Sequence, residues 1–132
     1  MNAVLDTANA ACGGDYCASE AQDLSNALAR VVPSNPGEAY NHIINNQLHD
    51  HRWLEFGIDT LDKAWPHIES VVHNNVPYSS EFLGSSNEVY KQLIYGFSQI
   101  GNTMVRVGVE GISIPGENLF RVTTSYITQA LH

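Results

Sequence analysis

Two groups of residues in this chain have types and spacings suited to chemistry. His49, Asp50, His51 and Arg52 are consecutive and form its densest polar cluster. An imidazole exchanges protons near neutral pH, so histidine is the natural general acid or base, and an adjacent guanidinium suits a phosphate. His49 and His51, two apart, share a face on a strand and diverge on a helix, whereas His42 and His49 share a helical face. The plainer reading of the cluster is a solvated helix end. A metal site is the weakest alternative, because the spacing fits no common zinc pattern and there is no His-Glu-x-x-His motif. The second group is Thr123, Thr124, Ser125 and Tyr126. On an alternating strand Thr124 and Tyr126 project from one face, with Ser125 on the other, and can present hydroxyls to a phosphate or a transition state. Neither has a base beside it in sequence, so a hydroxyl nucleophile is not supported, and ordinary strand packing is the competing reading. Arg52 and Arg121, one beside each group, are the candidate substrate-binding cations.

The elements that must position these groups change character along the chain. Residues 1–11 read as a short Ala-rich helix. Ser19 caps a second helix through Leu24, Leu28, Val31 and Val32, which Pro33 closes. A third runs through Tyr40, Ile43, Ile44 and Leu48. From His51 to His73 a long helical face is expected, with Pro66 kinking or breaking it. Residues 74–80 read as a loop, and a further helix carries Val89, Leu93, Ile94, Phe97 and Ile100 up to Gly101. After Gly101 the period changes. Val105, Val107 and Val109 form a row with Met104 set apart from it, a Pro-Gly turn follows at 115–116, and Leu119–Ile127 is a second β-rich run. Two strands are marginal alone. His51–Phe56 and Ser80–Leu83 are the candidates for a third. The predicted class is α+β, with N-terminal helices followed by a small antiparallel sheet ending in a C-terminal β-hairpin. A mainly α chain with a terminal hairpin is the alternative.

At 132 residues, 43% hydrophobic and 15% charged, the chain suits one globular domain over 1–132. No apolar run is long enough to span a membrane. The N-terminus has neither a basic start nor an apolar core of a secretory signal. A net charge of −8 with only six Lys and Arg argues against broad, non-specific binding to nucleic acid. The imbalance is greatest over residues 1–51, which hold six acids and one base and would suit a basic partner. Cys12 and Cys17 flank two glycines that let the chain double back. A disulfide and a pair of free thiols are equally compatible with that spacing.

Two segments resemble the C-terminal toxin regions of contact-dependent inhibition and filamentous-haemagglutinin-like bacterial exoproteins. Residues 9–18, Asn-Ala-Ala-Cys-Gly-Gly-Asp-Tyr-Cys-Ala, look like the Cys-pair leader that precedes the variable toxin, which sets 1–18 apart as a leader segment. Residues 120–126, Phe-Arg-Val-Thr-Thr-Ser-Tyr, look like the closing strand of EndoU and ribonuclease A-like toxins, which often end on Thr-x-Tyr. The resemblance implies a ribonuclease acting on RNA in interbacterial competition without metal or cofactor. It implies secretion as part of a larger exoprotein and a cognate immunity protein as partner. Thr124 and Tyr126 match the terminal motif; His49 and His51 rest on their clustering beside Arg52. Two other functions compete. One is an acidic binding module, such as a cytoplasmic immunity protein masking a basic cognate toxin, which small size and charge favour. The other is a non-catalytic pre-toxin segment.

Overall fold

A computed structural model describes residues 29–46, 49, 51–82, 90–113 and 117–131. The helices expected before residue 29 and the Cys12–Cys17 pair lie outside the described residues. Five strands form one sheet: β1 (Arg30–Pro33), β2 (Pro77–Phe82), β3 (Tyr90–Ile100), β4 (Thr103–Ser113) and β5 (Leu119–Leu131). Their order is β1-β5-β4-β3-β2. β1 runs parallel to β5 and every other pair is antiparallel. Between β1 and β2 lie α1 (Ala39–Ile43), a 3₁₀ turn (Leu54–Phe56) and α2 (Leu61–Asn74). The class is α+β, but the sheet is mixed and a strand precedes the described helices. A mainly α chain is excluded.

The C-terminal hairpin is as expected. Val105, Val107 and Val109 are fully buried while Met104 is exposed. The β3–β4 connection is the two-residue turn Gly101-Asn102, with Gly101 at φ 60° as a tight hairpin turn requires of its first residue.

Several expected helices are corrected. Residues 90–100 form a strand, because Gln92, Ile94 and Gly96 are buried in alternation and pair residue by residue with β4. Val31 and Val32 belong to β1, where their β-branched side chains suit pairing with Phe120 and Arg121. Residues 77–80 of the expected loop are in β2, which overlaps the Ser80–Leu83 candidate. His51–Phe56 is not a strand, since Leu54–Phe56 forms the 3₁₀ turn. The helix expected through Leu48 ends at Ile43, where the N–H groups of Ile44 and Asn45 both donate to the Tyr40 carbonyl.

Helix α2 is capped by Thr60, whose hydroxyl accepts from the Lys63 N–H at 3.2 Å. It buries Ala64, Ile68, Val71 and Val72, the i, i+4, i+7, i+8 stripe of an amphipathic helix, against β3 and β4. Pro66 does not break it. The residue is exposed, so the carbonyl that loses an N–H partner lies where water can serve it.

The core between α2 and the sheet is closed by Trp53, which is fully buried and donates from Nε1 to the Ser125 carbonyl at 3.0 Å. Trp53→Phe removes that donor and part of the ring. A loss of about 1–3 kcal/mol is expected from an imperfectly paired buried group. It should appear as a lower urea midpoint at unchanged slope.

Candidate functional site

β5 has two edges to satisfy, and one of them builds the site. Over Leu119–Val122 that edge is covered by β1. The Ser34 N–H then donates to the Val122 carbonyl at 2.8 Å. Beyond this the hydroxyl of Thr124 donates to the His42 carbonyl at 3.0 Å, and the Ile127 N–H donates to the His51 carbonyl at 2.9 Å. Thus α1 and the His51 segment replace β1 along the C-terminal half of β5.

The register changes in the same place. Glu110 faces Thr124 but Gly111 faces Val122, so Thr123 is an extra residue. The bulge shifts the buried row from Phe120 and Val122 to Ser125 and Ile127. Thr124 and Tyr126 consequently lie on the face away from α2, and Ser125 faces the core, with its hydroxyl donating to the Gly108 carbonyl at 2.7 Å.

An open cleft of about 540 Å³ lies along this edge. All four candidate catalytic residues, His49, His51, Thr124 and Tyr126, line it, together with His42, Asn46, Glu110 and Ile127. His49 is exposed, and its N–H donates to Asn46 Oδ1 at 2.9 Å. His51 is only 9% exposed and its ring centroid lies 5.6 Å from that of Tyr126. Its Nδ1 is 3.2 Å from the Ile43 carbonyl. A carbonyl can only accept, so Nδ1 carries the hydrogen and Nε2 is the basic nitrogen. Burial lowers the His51 pKa below the ordinary 6.5, with His49 acting the same way; the Ile43 and Ser125 carbonyls and Glu110 oppose this without overcoming it. His51 is therefore a neutral base at pH 7.

Tyr126 is shifted the opposite way. Burial raises its pKa, and hydrogen bonds with Tyr95 and to the Glu110 carboxylate add to the effect. The phenol keeps its proton far above neutrality and acts as a donor. Gly108 makes this arrangement fit. It lies opposite both Tyr126 on β5 and Tyr95 on β3, and a Cβ there would sit 2.6 Å from Tyr126 Cε2 and 3.0 Å from Tyr95 Cε1.

The two candidate cations lie outside the cleft lining. Arg52 has φ 66°, a left-handed conformation uncommon for a residue with a side chain, and this bend separates the directions of His51 and Trp53. Its guanidinium holds Glu55 at 3.0 and 3.3 Å and lies over the Phe56 ring. Arg121 pairs with Glu117 at 2.7 Å. His67 is bonded to the Ser98 hydroxyl, and His73 to the Ala29 carbonyl at 2.8 Å, both away from the cleft. Among the described residues no three His, Cys, Asp or Glu side chains are grouped to hold a metal ion.

Sequence reasoning missed Glu110, Tyr95 and Gly108. A signal for two of them was present, because Met104, Arg106, Gly108 and Glu110 alternate with the buried valines and so share the face of Tyr126. No family model, curated protein or solved structure matches this chain. Among the described residues no helix is long and apolar enough to cross a membrane.

Proposed function

We propose that this domain cleaves RNA without a metal ion, as a toxin ribonuclease of interbacterial competition. The observation that carries the reading is the meeting, in one open cleft, of a neutral buried imidazole, a second and third imidazole, and a phenol held protonated. That set matches the needs of phosphodiester transesterification. His51 Nε2 removes the proton of the ribose 2′-hydroxyl. The 2′-oxygen attacks phosphorus, the bond from phosphorus to the 5′-oxygen breaks, and the leaving oxygen takes a proton from His49 or His42. The products are a 2′,3′-cyclic phosphate and a free 5′-hydroxyl. Tyr126 turns its one hydroxyl hydrogen from Glu110 to a non-bridging oxygen, where charge accumulates in the transition state.

Thr124 has a different part. Its hydrogen is committed to the His42 carbonyl, so it positions the histidine segment against β5 and offers only lone pairs to a ligand. Arg121, paired with Ile112 of β4, lies beyond the bulge on the face of the sheet that carries Tyr126. In this reading the domain travels on a larger secreted protein and is neutralised by an immunity partner.

Purified protein incubated with transfer RNA or total RNA in EDTA should yield fragments ending in cyclic phosphate. No cleavage of any RNA, combined with tight binding to a basic protein, would instead support an acidic binding module, for which the net charge of −8 is suited.

A further inference from the structure

The face of the sheet opposite α2 continues well past the cleft, and its composition is unusual for a surface. Next to Tyr126 across Gly108 stands Tyr95, and two residues along β3 stands Phe97, which is 56% exposed. On β2, Tyr78 is 75% exposed and meets Tyr95 edge-on, with centroids 5.5 Å apart. Arg106, opposite Phe97 on β4, places its guanidinium 3.8 Å from the Tyr95 ring centroid. Among the described residues no carboxylate forms an ion pair with it.

We infer that this face is a stacking platform for the unpaired bases of single-stranded RNA flanking the bond cut in the cleft. The inference rests on the ribonuclease reading for what occupies the cleft. The exposed rings of Phe97 and Tyr78 favour a base, since every base has a π-face to stack. A guanidinium lying among the rings supplies the cation that a phosphodiester backbone requires, and it can stack as well. Continuity favours the same ligand in both places, because the Tyr126 and Tyr95 rings meet over Gly108 and so join the cleft to the platform. From Tyr126 on β5 to Tyr78 on β2 is three inter-strand spacings, about 14 Å. One base cannot bridge that distance. The substrate is therefore an extended single strand of several nucleotides, and a duplex, whose bases are already stacked and paired, is excluded from the platform.

The test uses a fluorescently labelled hexanucleotide with 2′-O-methyl groups, which cannot be cut because the attacking hydroxyl is blocked. Its binding to the whole protein is followed by anisotropy at low salt. Phe97→Ala and Tyr78→Ala should each weaken binding roughly five- to hundredfold, the range for loss of one stacked base. Phe97→Leu and Tyr78→Leu keep an apolar side chain without a ring and should lose nearly as much. A duplex of equal length should bind far more weakly than the single strand. With cleavable substrates, Phe97→Ala should raise KM for a hexanucleotide while leaving cleavage of a dinucleotide at the parental rate.

Unchanged hexanucleotide binding in folded Phe97 and Tyr78 variants would overturn the proposal, as would equal affinity for the duplex. Variants that keep hexanucleotide affinity but lose a protein ligand would overturn it too, assigning the face to protein recognition. The binding arm needs no turnover. A protein that binds the hexanucleotide through Phe97 and Tyr78 yet cuts nothing retains the platform and loses only the ribonuclease reading.

Discussion

Alanine in place of His51 is expected to lower the rate of RNA cleavage by at least about 10²-fold, the usual contribution of a positioned general base. The loss should fall on kcat, because His51 acts in proton transfer and the platform residues that hold substrate are untouched. The substitution also removes a buried ring beside Tyr126 and leaves the Ile43 carbonyl without its donor. Folding must therefore be checked by circular dichroism and by urea midpoint alongside the rate. The pH dependence separates the two roles. Burial holds His51 below 6.5, so its basic form dominates at neutrality and the acid limb of kcat/KM should appear only as the pH falls below 6.5, while the alkaline limb belongs to the imidazole that gives its proton to the leaving oxygen. Stability follows the same sign. The unfolded chain takes up a proton near 6.5, whereas native His51 resists it, so this contribution is present above 6.5 and is lost as pH falls through the lower native value. His67, lowered by burial as well, adds acid sensitivity in the same direction. His51→Ala should abolish the acid limb of whatever rate remains and leave the His67 share of the acid instability in place. An alanine variant that is folded and fully active would reassign the base to His42 or His49.

What could be read from the sequence depended on how local each signal was. The β4–β5 hairpin was legible because Val105, Val107 and Val109 alternate without interruption. β3 was hidden by its own composition. Its inward row is Gln92, Ile94, Gly96 and the half-buried Ser98, largely polar or small, while Leu93, Tyr95 and Phe97 occupy the opposite face. Apolar residues thus fall at 93, 94, 97 and 100, a spacing that mimics a helix. The buried glutamine is reconciled by a hydrogen bond from the Ser113 hydroxyl at 3.1 Å, a partner on another strand that no periodicity reveals. β1 was hidden because Val31 and Val32 extend an apolar run, and only a parallel pairing with β5 makes them a strand. Within the site, the common face of Thr124 and Tyr126 was legible from alternation. The bulge at Thr123 and the left-handed bend at Arg52 were not, although together they set Tyr126 and His51 side by side. Those features depend on contacts between residues some eighty positions apart, such as Thr124 with the His42 carbonyl.

The second large effect is expected at Tyr126, and Gly108 offers an independent way to provoke it. Tyr126→Phe keeps the ring and deletes the hydroxyl, so the melting temperature should change by only a few degrees. Losing a hydrogen bond of about 1.5–3 kcal/mol to charge in the transition state corresponds to roughly a ten- to hundredfold lower rate. Gly108→Ala leaves the hydroxyl intact and attacks the geometry instead. The new methyl would stand 2.6 Å from Tyr126 Cε2, and Tyr95 on the other side blocks escape in that direction. Both rings must tilt or the strands must part, at about 1–3 kcal/mol for overpacking. The rate should fall at least as far as in Tyr126→Phe, because the phenol is displaced from both Glu110 and the cleft. The double variant should be little slower than Gly108→Ala alone, since a displaced phenol has no hydroxyl contact left to lose. Ser125→Ala provides the contrast. It costs stability through the bond to the Gly108 carbonyl but leaves the cleft face unchanged, so activity should persist. If Gly108→Ala proves as stable and active as the parent, Tyr126 and Tyr95 do not meet over Gly108, and the donor role of Tyr126 fails with that contact.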